Sequence, residues 1–171
     1  ANAVDGVPVS FAVTSGSGTV TTSAVTASGK ASATYTSSTT AGSGVVTATI
    51  GAKSGTATVT LTPGPAAKIT LQANPTTITS SAVSDATLTA TILDANNNVV
   101  TSFTNAVTFS VASTTLGNIK SGETSVSAVA GVATSHVQSK VDATGGTIVC
   151  RADATGLTQG TVNVTTVPFF G

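Results

Sequence analysis

The sequence predicts an all-β chain of two tandem β-sandwich modules, the first lacking its first two strands. Three observations carry that expectation. Apolar and small polar residues alternate over short runs, Gly/Ser clusters punctuate those runs, and the second half of the chain repeats the first. Alternation with a period of two places one set of side chains on each face of a pleated strand.

The composition points the same way. Ser and Thr fill about a third of the 171 positions, 7% are charged, and Met and Trp are absent. Thr and Val are abundant; such β-branched side chains lose rotamer freedom in helices but pack well on a sheet. The 6 basic and 6 acidic residues cancel, which removes the basic surface that nucleic acid requires. No apolar run approaches the ~20 residues of a bilayer-spanning helix. The opening Ala1-Asn2-Ala3 is not a signal peptide. With no Met, Ala1 is expected to be either a processed terminus or an excerpt boundary. The Ser/Thr/Gly/Ala-rich, Lys-poor balance suits an extracellular surface protein. A single Cys150 forms no internal disulfide.

In chain order, strands are expected over residues 7–13, 30–36, 45–50 and 56–62, with Gly/Ser turns between them. Pro63-Gly64-Pro65 interrupts the pattern and marks a linker, because proline removes a ladder donor. This gives modules at 1–63 and 66–171. The second opens with strands at 68–73 and 85–94, followed by an Asn-rich turn at 94–98. The repeat then aligns Val9-Ser10-Phe11-Ala12-Val13 with Val107-Thr108-Phe109-Ser110-Val111, and Gly29 to Tyr35 with Gly131 to Val137. It aligns Gly44-Val45-Val46-Thr47-Ala48 with Gly146-Thr147-Ile148-Val149-Cys150, and residues 56–63 with 161–168. The period is about 100 residues, the size of an immunoglobulin-like module. Nothing in the first module matches residues 68–98. The first module therefore starts at its third strand and keeps strands C to G.

Several segments are similar to a known family. Residues 88–100 (LTATILDANNNVV), residues 6–20 (GVPVSFAVTSGSGTV) and the Gly-x-Ala-x-x-x-hydrophobic strands at Gly29 and Gly131 resemble the bacterial immunoglobulin-like repeats of the invasin and intimin type. The resemblance implies a seven-stranded sandwich used as a stalk or spacer in surface adhesins, with no catalysis. The missing opening strands depart from the family pattern.

Candidate chemistry is sparse. The one His and one Cys give little for acid–base or nucleophilic work. Alternation puts His136 on an outer face, and puts Cys150 inside as a small core residue matched to Ala48. Asp94 with Asn96, Asn97 and Asn98 is an Asx turn; one carboxylate is a thin ligand set for calcium. No cofactor or metal is expected. Asn163-Val164-Thr165 is an N-glycosylation sequon with Asn163 facing outward. Tyr35 belongs to the inward set, and Phe11, Phe103 and Phe109 lie in or beside the third strand. Phe169 and Phe170 alone are placed to form an exposed aromatic platform.

The sequence therefore predicts a non-catalytic structural module of a cell-surface protein, a spacer or scaffold in adhesion whose partners are neighbouring modules. Two alternatives stand beside it. One is a filament or surface-lattice subunit, a homo-oligomer whose first module is completed by a neighbour's strands. The other is a module that binds a host receptor or glycan.

Overall fold

A computed structural model describes residues 4–80, 84–141 and 145–168, and every regular element among them is a β-strand. The chain divides into two compact units, Ala1–Pro63 and Gly64–Gly171.

The first unit contains β1 (Pro8–Ser15), β2 (Thr19–Val20), β3 (Ser23–Val25), β4 (Tyr35–Thr36), β5 (Gly42–Ile50) and β6 (Lys53–Leu61). They form an antiparallel sheet in the order β3-β1-β5-β6 and a small β2-β4 pair. The second unit contains β7 (Ala66–Asn74), β8 (Thr77–Thr79), β9 (Asp85–Asp94), β10 (Ala106–Val111) and β11 (Gly117–Ile119). It continues with β12 (Ser125–Ser127), β13 (Val132–Ser139), β14 (Gly146–Asp153) and β15 (Gly160–Val167). One of its sheets runs β11-β13-β9-β7 and the other β12-β10-β14-β15-β8. The first order is the D-E-B-A set of an immunoglobulin sandwich, and β10-β14-β15 is its C-F-G set.

The second unit is closed by its inward residues. β9 alternates cleanly, with Ala86, Leu88, Ala90 and Ile92 wholly buried. They meet Ile69 and Leu71 of β7, Val107 and Phe109 of β10, Ile148 and Cys150 of β14 and Val164 of β15 in one cluster. Each large aliphatic side chain so buried contributes roughly 1.5–3 kcal/mol. The hydroxyls on the inward face are satisfied, as burial requires. Ser135 Oγ donates to the Glu123 carbonyl at 3.0 Å and Ser139 Oγ to that of Thr79 at 2.6 Å.

Among the described residues, the first unit repeats this strand order without the β7, β8 and β9 equivalents. β1 pairs with β3 and β5 as β10 pairs with β12 and β14. The same turn precedes β4 and β13: Ser28-Gly29 and Ala130-Gly131 have positive φ at both residues, the signature of a tight type I′ connection. It is closed by paired backbone bonds between Ala27 and Lys30, and between Val129 and Val132.

The ladders correct one part of the sequence alignment. Phe11 faces Ala48, whereas its match Phe109 faces Ala152. Ala48 faces Gly55 while Ala152 faces Gly160, and Val46 faces Ala57 while Cys150 faces Val162. Cys150 therefore corresponds to Val46, not Ala48. A shift of two residues leaves every side chain on the same face, so alternation cannot detect it.

Candidate functional site

The residues singled out in the sequence are dispersed over the second unit. Asp94 is 2% exposed at the end of β9. Its Oδ1 accepts the Asn96 and Asn98 backbone N–H groups, both at 2.8 Å. Its Oδ2 accepts the Asn98 side-chain amide at 2.8 Å and the Gly64 N–H at 2.9 Å. The Asn98 amide, aided by the Asn98, Gly64 and Asn96 backbone donors and opposed by desolvation, holds the carboxyl down to about 2. Four donors converge on it, so Asp94 organises a turn and anchors the Gly64 backbone. The Gly64 contact spans 30 positions and had no signal in the sequence.

His136 points outward on β13, with Nδ1 2.7 Å from Glu123 Oε2. Lys120 Nζ meets Asp85 Oδ2 at 3.0 Å beside it. Glu123 was not anticipated; it comes from the loop after β11, and its carbonyl also receives Ser135. Such solvated pairs contribute little, because water screens them. Cys150 is fully buried, and burial pushes its thiol up to about 11, the opposite of an activated nucleophile. Asn163 is exposed on β15. Phe169 and Phe170 lie outside the described residues. Among the described residues no three His, Cys, Asp or Glu side chains converge, and no helix is long and apolar enough to cross a membrane.

The feature the structure does bring together is a sheet face. Phe11, Val13, Val46, Ala48, Val59 and Leu61 lie on one side of the first unit's sheet, as the β1-β5-β6 register dictates. All six are only half-buried, and Ile50 is 43% exposed. Of the second-unit counterparts, Phe109, Cys150 and Val164 are at 0–1%, whereas Val111, which matches Val13, is half-buried, and Val9 on the first unit's face is itself buried. The buried cluster contains no residue of the first unit. Tyr35 covers one end of the face, donating its hydroxyl to the Ser17 carbonyl and lying against Gly18 and Gly44. Beyond it, Val9, Ala48, Ile50, Lys53, Ser54 and Gly55 line a groove of about 210 Å3.

No family model matches this sequence, and no curated protein matches it. Among solved structures, the chain is similar to a family 2 glycosyl hydrolase from Bacteroides cellulosilyticus, with 17% identity and a TM-score of 0.58. That match covers 94% of this chain and 21% of the hydrolase, so the chain spans about a fifth of that protein. Its neighbours also include the D0-D1 domain of intimin, at 22% identity over 96% of this chain and 83% of that one, with a TM-score of 0.45. Invasin, a bacterial integrin-binding protein, is 20% identical over 97% of this chain and 33% of its own, with a TM-score of 0.45. At 17% identity the likeness to the hydrolase is one of fold alone.

Proposed function

We propose that the chain is a non-catalytic structural segment of an extracellular, cell-surface protein, a spacer or stalk of tandem immunoglobulin-like modules. The observation that carries this reading is the pairing of the second unit's end strands. β8, near its start, runs parallel to β15, at its end, with Thr165 beside Thr77, Thr166 beside Ile78 and Val167 beside Thr79. Tension between the two ends pulls these strands past each other along the ladder. The bonds then share the load instead of parting one at a time. They include Thr165 N–H to the Thr76 carbonyl at 2.8 Å and Ser80 N–H to the Val167 carbonyl at 2.9 Å. Ile78, 3% exposed, ties β8 to the core. The Ser/Thr-rich, weakly charged composition and the resemblance to adhesin repeats support the same reading, with neighbouring modules as the partners it implies.

Single-molecule stretching of the chain between its ends tests it. The second unit is expected to yield in one high-force step. Ser80→Pro, which removes the donors to Val167, is expected to lower that force by roughly a third. Yielding at the low force of an unzipping hairpin, or an unchanged force in Ser80→Pro, overturns the reading.

A further inference from the structure

We infer that a cleft between β7 and β15 of the second unit binds one neutral pyranose ring of a glycan. This goes beyond the spacer role and does not depend on it. Every residue that lines the cleft belongs to the second unit.

The cleft exists because the chain changes sheets between β7 and β8. β7 lies beside β9 in one sheet, and β8 lies beside β15 in the other. β7 touches the start of β15, where a Cβ on Gly160 would stand 3.0 Å from the Ile69 carbonyl and 3.2 Å from Leu71 Cβ. Contact resumes at Thr165, whose N–H donates to the Thr76 carbonyl at 2.8 Å. Between these two points, among the described residues, no strand pairs with the outer edge of β7 or of β15. The two edges bound a cavity of about 340 Å3. That is at the small end of ligand sites, which limits the occupant to about one sugar ring.

Leu71, Ala73 and Val162 give the cleft an apolar wall, and Gln72, Asn74, Thr76 and Thr89 surround it with amides and hydroxyls. No charged side chain lines it, so nothing there compensates an ionic ligand for lost water. Among the described residues these four polar side chains have no hydrogen-bond partner within the protein. Gln72 and Asn74 stand two residues apart and so share one face of β7. Each amide offers a donor beside an acceptor, and each sugar hydroxyl offers one of both, so the pair matches adjacent ring hydroxyls. The backbone adds fixed groups. Ile69 N–H and the Ala67 carbonyl both bond Thr158, so the odd-numbered residues of β7 direct their backbone groups away from β9. Leu71 and Ala73 therefore turn theirs toward the cleft, while the apolar wall suits the C–H face of the ring. An uncharged ligand with neighbouring hydroxyls and one aliphatic face is the chemistry this set recognises.

The test is a backbone NMR titration of the full 171-residue chain with the methyl glycosides of glucose, galactose, mannose and N-acetylglucosamine. At least one is expected to shift residues 71–76, 89 and 162 saturably, with a Kd on the order of 1 mM. Gln72→Ala, at an exposed position, and Thr89→Val, which keeps the side-chain shape, are each expected to weaken binding about fivefold. Their spectra are expected to match the wild type away from the cleft. Thr134→Val, on the neighbouring strand and outside the cleft, is expected to bind as the wild type does. Shifts with none of the glycosides, shifts spread over the Thr-rich outer faces of both units, or undiminished binding by both cleft variants overturns the inference. So does tighter binding of methyl glucuronide or of trialanine, which would make the site ionic or a peptide edge.

Discussion

At Asp94 a single carboxylate links local and distant structure. The Asx turn was legible because Asp followed by Asn residues offers a short acceptor to nearby backbone donors. The bond to Gly64 was not, because nothing local encodes a contact made by chain return. The lowered carboxyl, about 2 against an ordinary 3.8, sets a pH dependence. A carboxyl depressed in the folded state stabilises it above the unfolded value, and that contribution is lost as pH falls from about 4 to about 2. Denaturant titrations across this window are expected to show a falling midpoint for the wild type and a flatter profile for Asp94→Asn. A wild-type midpoint that stays constant down to pH 2 would contradict the assignment. Cys150 shows the opposite situation, a side chain whose face was legible and whose match in the repeat was not.

At the scale of elements, the turns are the most faithfully repeated parts. Ser28-Gly29 and Ala130-Gly131 share backbone geometry although their flanking strands differ in outcome. Gly131 is required there, since a Cβ would stand 2.5 Å from the Val100 carbonyl. Ala130 is not required at φ 49°; an L-residue in the left-handed region costs roughly 1–2 kcal/mol. Ala130→Gly relieves this and gives back about 0.4–1 kcal/mol in unfolded-state entropy. A net stabilisation of about 0.5–1 kcal/mol is expected in equilibrium unfolding, and a loss of stability would refute the strain. Alternation makes the runs after the two turns equivalent, and residues 30–36 and 132–138 do alternate alike. Only the second run forms a full strand, because a strand is defined by its neighbour's hydrogen bonds as much as by its own residues.

Over the whole molecule, burial is unequal between the units. Phe11 and Phe109 occupy matching positions, yet Phe109 is 1% exposed and Phe11 half-buried. Truncating a fully buried Phe costs about 3–5 kcal/mol, and a half-covered one correspondingly less. Phe109→Ala is therefore expected to cost at least about twice as much as Phe11→Ala in its own unit's unfolding. Native-state hydrogen exchange is expected to show the first unit opening at lower free energy than the second. Equal losses, or equal protection in both units, would show that the first unit's face is covered in solution.

The sequence by itself determined the all-β class, the facing of residues along the strands, the tight turns and the lack of a first-unit match to residues 68–98. These are properties of near neighbours and of a two-residue period, and they need no knowledge of which strand lies beside which. Tertiary structure decided the rest: the register that matches Cys150 with Val46, the Asp94–Gly64 contact, the His136–Glu123 pair, and which of two similar runs becomes a strand. Those depend on inter-strand hydrogen bonds and on the layer packed opposite, which an even shift in alignment leaves invisible. The groove beside Gly55 belongs to that second group, because a glycine's neighbours become visible only when a strand lies across it, as β7 lies across Gly160.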